Sequence, residues 1–355
     1  MTRQAPGRIV VAMSGGVDSS VAAALLHEAG HDLVGVTLHL WDADGEQQVG
    51  RCCAPEDRDD ARRVCDHLGI PHFVLDEREA FRRHVVQPFV GEYLAGRTPS
   101  PCAHCNRTVK LVQLAELADR FGATHVATGH YARVSHQAAG PRLLRGRDRR
   151  KDQSYFLFGL PEAVLQRVLF PLGVMDKDGA RAEARRLGLP NADKPDSQEL
   201  CFVPDGDVPG FVAREGHEPR PGTVRDTDGQ VLARHEGIAG FTVGQRRGLG
   251  LGGGSPRYVL RIVPDTQEVV VGPREALYSR SLTATEARWL CEPPPHGFDA
   301  EVRIRHRHEP APGRVVPTDD GFRVEFAEPQ RAITPGQAAV LYQGDEVLGG
   351  GFIAP

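Results

Sequence analysis

The sequence predicts an α/β protein: a doubly wound parallel sheet first, then a small β-rich central domain and a C-terminal β-barrel. Three observations carry this expectation. Up to about residue 130, short apolar β-rich runs alternate with helical patterns, as in strand–helix–strand units. From about Asp205, proline and glycine rise and helical periodicity disappears. The chain, at 355 residues, is too long for one ordinary core, so two or three domains are expected. The expected divisions are 1–204, 205–280 and 281–355.

"RIVVAM" is the first strand, and "SSVAAALLHEAG" a helix closed by Gly30. "DLVGVTLHLW" is a second buried strand, "PEDRDDARRVCDHLG" an amphipathic helix, and "PHFVLD" a third strand. A helix over 78–94 follows, then the loop "SPCAHCN", then the helix "RTVKLVQLAELADRFG". "THVATGH" is the fourth strand, ending at a glycine. Ligands in such sheets sit beyond the carboxyl ends of the strands, where "SGGVDSS" and the "TGH" turn both fall. Past Asp205, "GTVRDTDGQVLARHEG" predicts a hairpin through Asp228-Gly229, and the evenly spaced short strands after Ser281 predict a small barrel.

Composition removes several classes. No apolar run approaches the roughly 20 residues of a membrane span. The N-terminus lacks a signal peptide's longer apolar stretch and cleavage site, so a cytoplasmic protein with no membrane partner is expected. A monomer is the expected state, which the sequence does not fix. Seven cysteines, an odd number spread over the chain, argue against a secreted disulfide scaffold. Net charge is −4, yet "RLLRGRDRRKDQ" holds six positive and two negative side chains, and "VRIRHRH" adds Arg303, Arg305 and Arg307. Either patch is as readily solvated surface as a nucleic-acid contact. There are 39 arginines and four lysines. Three of these lysines, Lys110, Lys151 and Lys194, lie beside the motifs below, where a compact ammonium suits.

"AMSGGVDSS", Ala12 to Ser20, follows a strand and opens a helix. Gly15 and Gly16 let backbone approach an oxyanion, the loop amides and helix N-terminus supply donors, and Ser14, Ser19 and Ser20 add hydroxyls. Asp18 is a candidate ligand for Mg²⁺ on the phosphates. No Gly-Lys-Ser/Thr follows, so this is not the kinase-type loop. The alternative, an ordinary capped helix, does not explain glycines, serines and aspartate in one strand–turn–helix.

The SGG-x-DS pattern resembles the PP-loop of ATP pyrophosphatases, which split ATP between the α and β phosphates. "AGRTPSPCAHCN", "ATGHYAR", "KDQSYFLFGL", "DSQELCFV", "GQRRGLG" and "TPGQAAVLY" follow in order. Together they resemble the bacterial tRNA-specific 2-thiouridylases of the MnmA type over essentially the whole chain. The resemblance implies an adenine nucleotide alpha hydrolase-like PP-loop domain, and ATP with Mg²⁺ as cofactors. It implies tRNA as partner, with adenylation of O2 of the wobble uridine, U34, in tRNAs for Lys, Glu and Gln. It further implies a sulfur donor, either a cysteine desulfurase or a sulfur carrier protein.

By the same resemblance, Cys105 is the nucleophile and Cys201 carries the persulfide whose sulfur displaces AMP at C2. Cys105 either attacks that persulfide to release sulfide or forms the disulfide that leaves sulfur on C2. Ala12, Met13, Ser14, Gly15, Gly16, Val17, Asp18 and Ser19 match the nucleotide loop, with Leu38 and Gly129 as further nucleotide contacts. His130, Lys151, Asp152, Gln153, Arg305, His306 and Gln337 match tRNA-contacting positions, which gives the two basic patches a reason to exist.

One position departs from the pattern: Cys102 stands where many members have Asp. Cys102, Cys105 and Cys201 therefore leave open a [4Fe–4S] cluster with one free iron. Zinc is disfavoured, since no second CxxC or His pair has the spacing. Cys65 and Cys291 read as packing, and Cys52 and Cys53 as structural or surface thiols. Lys110 and Asp196 are open between function and surface ion pairing. Two rivals remain: a PP-loop enzyme using ammonia, for which no glutaminase-like nucleophile domain is visible, and a non-catalytic tRNA-binding module, which would not need "SGGVDSS".

Overall fold

The computed structural model describes residues 7–42, 55–138, 140–196, 200–203, 205–252 and 254–355. They form two compact units: one of residues up to 84, 102–204 and 345–347, the other of 85–101, 205–344 and 348–355.

The first unit is built on a five-stranded parallel sheet. Its strands are β1 (Ile9–Ala12), β2 (Leu33–His39), β3 (His72–Asp76), β4 (His125–Ala127) and, after the hairpin β5 (Ala132–Gln137) and β6 (Gly140–Arg145), β7 (Val168–Leu169). The order is β3-β2-β1-β4-β7, so β1 lies in the middle, with Ala12 opposite Val36 and Val11 opposite Ala127. Strands covered on both faces read as unbroken apolar runs, as "IVVA" and "LVGVTL" do. Helix α1 (Val17–Glu28) is buried over Val21, Ala22, Ala23 and Ala24. Its small side chains pack with Ile9, Val11, Met13, Val64, Leu172 and Ala184. In helix α2 (Pro55–Leu68), Cys65 is a core thiol: a Cβ on Gly35 would stand 2.6 Å from its sulfur. Burial pushes that thiol up to about 12.

Two segments differ from expectation. The stretch 78–94 is helical but not one α-helix: Arg78–Phe81 and Gln87–Leu94 flank a π turn at Arg82–Val86. Pro88 explains the break, since it has no N–H to give His84 and its ring crowds that carbonyl. The cysteine segment is a short helix, Pro101–Cys105, not a loop; it runs through a π turn, Asn106–Lys110, into Leu111–Arg120. Pro101 suits a first helical position, and the three-residue spacing puts Cys102 and Cys105 on one face. Cys52 and Cys53 lie outside the described residues.

In the second unit, β8 (Gly222–Arg225), β9 (Val231–His235), β10 (Tyr258–Val263) and β11 (Glu268–Gly272) form a sheet ordered β10-β11-β8-β9. The expected hairpin is present: Asp226 Oδ1 accepts from the amides of Asp228 and Gln230, and Gly229 takes φ +85°. The last six strands are β12 (Tyr278–Trp289), β13 (Phe298–Arg303), β14 (Ala311–Pro317), β15 (Gly321–Arg331), β16 (Ala338–Gln343) and β17 (Glu346–Ile353). They close into a barrel through the pairing of β12 with β17. Val302, Val315, Phe322, Phe326 and Leu341 fill it.

Candidate active site

The turn from β1 to α1 sits at the carboxyl end of the central strand. Gly15 has φ +73°, and a Cβ there would lie 2.0 Å from the Asp57 carbonyl oxygen, so only glycine fits. Gly16 is the N-cap and Asp18 stands in the first turn. Ser19 ties the loop together: its hydroxyl accepts from the Ser14 amide (3.1 Å), lies 3.1 Å from the Ser14 hydroxyl and donates to the Gly16 carbonyl (3.0 Å). Asn191, from the other end of the unit, donates to the Gly15 carbonyl and to Ser20 Oγ, each at 2.9 Å. The Thr37 hydroxyl donates to the Met13 carbonyl (2.8 Å). Thr37 can then only accept from His72 Nε2, which fixes that imidazole's tautomer. Bonds from Ser19, Asn191 and Thr37 thus hold the loop backbone where α1 begins, and a helix N-terminus of this kind is a natural anion site. Leu38 is buried on β2, two strands' width from β4.

Gly129 closes the loop from the β4 side. A Cβ on it would lie 2.6 Å from both Asp18 C and Ser19 N, so the "TGH" turn is pressed against the first turn of α1. Beyond it, Tyr131 donates its hydroxyl to Asp18 Oδ1 (2.8 Å). Burial, together with the Asp18 charge, raises the pKa of that phenol, which stays a donor. Lys177 Nζ donates to the same Asp18 oxygen (2.7 Å) and lies 2.8 Å from Asp196 Oδ1. Lys151 and Arg181 also bond Asp196, at 2.8 Å each. Burial would raise the Asp196 carboxyl, but bonds from Lys151 and Lys177 outweigh it and hold it at about 2. Asp18 thus offers one oxygen held by two donors and a second for a cation. That donor set fits a single carboxylate ligand to Mg²⁺ on phosphates, where the ion would offset phosphate charge.

His130 bonds Thr128 Oγ1 through Nδ1 (2.8 Å) and sets its ring edge-on to Phe170. Burial, with the Lys110 ammonium adding to it, pushes its imidazole down to about 3, so it is neutral at working pH. Asp152, expected as a tRNA-contacting position, is bonded within the chain. It is 1% exposed, and its carboxylate accepts from the Gly146 amide (3.0 Å), the Ser154 amide (3.1 Å) and the Ser154 hydroxyl (3.1 Å). Gln153 is likewise tied inward, its Oε1 accepting from the Tyr131 amide (2.9 Å). The first basic patch is largely paired: Arg142 with Glu346 (3.1 Å), Arg149 with Asp345, Arg145 with Asp152 (3.5 Å).

Cys105 is 5% exposed, Cys201 is half-buried and Cys102 is exposed. Asn106 donates to the Phe156 carbonyl (3.3 Å), and Phe202 packs against Phe81 and Trp41, so the neighbours of both Cys105 and Cys201 are anchored. Among the described residues, no three His, Cys, Asp or Glu side chains stand close enough to hold a metal ion.

In the second unit, Gln337 donates through Nε2 to the carbonyls of Thr98 (3.0 Å) and Pro99 (2.9 Å). Arg305 donates to the Arg331 carbonyl (3.1 Å) at the barrel rim. Arg303, read as part of a surface patch, is instead buried and donates to the His306 carbonyl. The residues that sequence reasoning missed are Tyr131, Lys177 and Asn191. Tyr131 stands within "ATGHYAR" and Lys177 is one of only four lysines, so motif membership and lysine scarcity are the signals that mark those two, whereas Asn191 carries none.

Three family models match in succession: tRNA methyl transferase HUP domain over residues 7–205, tRNA methyl transferase PRC-barrel domain over 210–273, and aminomethyltransferase beta-barrel domain over 279–353. The tRNA-specific 2-thiouridylase MnmA of Sorangium cellulosum is 54% identical over 354 residues, 98% of this chain and 92% of that protein. Those of Solibacter usitatus (49%, 97% of this chain, 98% of that protein) and Acidithiobacillus ferrooxidans (48%, 98% of each) are similar over the same extent. Matched along nearly its whole length, the chain belongs to the tRNA-specific 2-thiouridylase family.

Proposed function

We propose that this chain catalyses the ATP-dependent 2-thiolation of the tRNA wobble uridine. The observation that carries the reading is the loop Ala12–Ser19, a lysine-free anion site pressed under Gly129 beside the Asp18 carboxylate. Such a site suits an attack at the α-phosphate with pyrophosphate leaving, where the charge is spread over phosphate oxygens. Uridine O2 bonds to the α-phosphorus and the α–β bridge breaks. The terminal sulfur of a Cys201 persulfide then bonds to C2 and the C2–O bond breaks, releasing AMP. Cys105 thiolate attacks Cys201 Sγ, the S–S bond breaks and its electron pair stays on the sulfur now bound to C2. The resulting Cys105–Cys201 disulfide needs two electrons from an external thiol before the next turnover.

Neutral His130 suits a hydrogen bond to the target base, and Lys110 suits stabilising a thiolate on the same helical stretch. Lys151, Arg305, His306 and Gln337 are proposed as tRNA contacts, with Asp152 and Gln153 shaping the turn that presents Lys151. A cysteine desulfurase or a sulfur carrier supplies the sulfane sulfur, and the setting is the cytoplasm; among the described residues no helix is long and apolar enough to cross a membrane. The test uses three variants with unmodified tRNA, ATP and a persulfide donor. Cys105→Ser and Cys201→Ser should each lose 2-thiouridine formation, whereas Cys102→Asp should keep much of it. Thiolation surviving either serine change would contradict the roles assigned to these two cysteines.

A further inference from the structure

We propose that Lys177 is a catalytic residue of the adenylation step, the cation that meets the nucleotide's phosphates; the proposal rests on the function proposed above. The loop Ala12–Ser19 contains neither lysine nor arginine. Its own positive charge is limited to amide dipoles and the partial charge of the α1 N-terminus. A departing pyrophosphate gathers negative charge that a preorganised cation stabilises, the part a loop lysine plays in kinase-type sites. In this chain that cation arrives from far along the sequence.

Lys177 is placed for the task. It opens the helix Lys177–Arg186, whose N-cap Asp176 accepts from the Gly179 amide (2.7 Å), and its own amide reaches Asp148 Oδ2 (3.4 Å). The residue is 9% exposed, so its four-carbon stem is fixed by packing while Nζ reaches the loop's own carboxylate. A chain with 39 arginines places one of its four lysines here, and a compact ammonium is the point charge that phosphate binding uses. The charge arrangement permits a handover. Lys151, Lys177 and Arg181 surround the two carboxylates Asp18 and Asp196. When Lys177 turns to a phosphate, Asp196 keeps Lys151 and Arg181, and Asp18 keeps the Tyr131 hydroxyl. A lysine that merely neutralised two carboxylates would need no such redundancy.

The experiment compares the full-length protein with Lys177→Met, Lys177→Arg and the double variant Lys177→Met/Asp196→Asn. It measures pyrophosphate release with unmodified tRNA, binding of α,β-methylene-ATP, tRNA affinity and thermal unfolding. Lys177→Met should release pyrophosphate about 100-fold more slowly, the loss expected for one transition-state charge partner. It should bind the analogue about tenfold more weakly, at unchanged tRNA affinity. Lys177→Arg should recover part of the binding. The double variant should regain unfolding temperature but not the rate. Lys177→Met within threefold of wild type, or a double variant restored in rate, would overturn the assignment. Wild-type protein that releases no pyrophosphate would overturn the proposed function itself, and the lysine's role with it.

Discussion

Gly129 shows how one missing side chain shapes the site. Its backbone lies where any Cβ would meet Asp18 C and Ser19 N at 2.6 Å, and backbone atoms cannot swing aside as a flexible side chain does. Gly129→Ala should therefore displace the first turn of α1. Nucleotide affinity should fall at least about tenfold while tRNA affinity changes little, measured by titration with each ligand separately; equal loss of both would mean general unfolding instead. At the same scale, the thiols should separate by environment. Cys65 is buried with its pKa pushed up to about 12, whereas Cys102 is exposed. At pH 8, iodoacetamide should label Cys102 long before Cys65, since only the thiolate reacts and access adds to the difference. Peptide mass spectrometry over a time course checks this, and comparable rates would contradict the burial of Cys65.

The elements around the loop hold it through charge as well as packing. Helix α2 brings Asp57 against Gly15, and Lys194 bonds both Asp57 and Asp60 with all three side chains largely buried. Burial works against the Lys194 charge, but the bonds to Asp57 and Asp60 outweigh it and raise its pKa, so it is cationic throughout the neutral range. Removing the cation leaves the buried Asp57 carboxylate without its ion pair, while Asp60 keeps Arg63. Lys194→Met should cost about 3 kcal/mol of stability, and denaturant unfolding of the purified variant measures it. A change below about 1 kcal/mol would mean that water reaches the pair and that α2 is anchored by its apolar face alone. The hairpin β5–β6 and the helix Lys177–Arg186 are the elements that sequence reading left blank. Neither has a Gly-rich or Cys-rich signature, and the hairpin's alternation is obscured by arginines that pair with Asp345 and Glu346, some 200 residues on. Long-range pairing of this kind leaves no local trace.

At the level of the whole chain, the parallel sheet and the last barrel were legible because their strands are covered on fixed faces. Unbroken apolar runs mark β1 and β2, and even spacing of short strands marks the barrel, whose β14 and β15 alternate in burial. The loop Ala12–Ser19 was legible because its glycines and hydroxyls act locally. Its supports, Asn191 and Lys177, were not, since they reach it only after folding. Oxygen isotopes show most directly where the nucleotide goes. tRNA transcribed with ¹⁸O at uridine O2 is mixed with the protein, ATP, Mg²⁺ and a persulfide donor, and the nucleotide products are weighed. The account predicts pyrophosphate and AMP carrying one ¹⁸O atom, in step with 2-thiouridine. ADP as the product, or thiolation with unlabelled AMP, would contradict it.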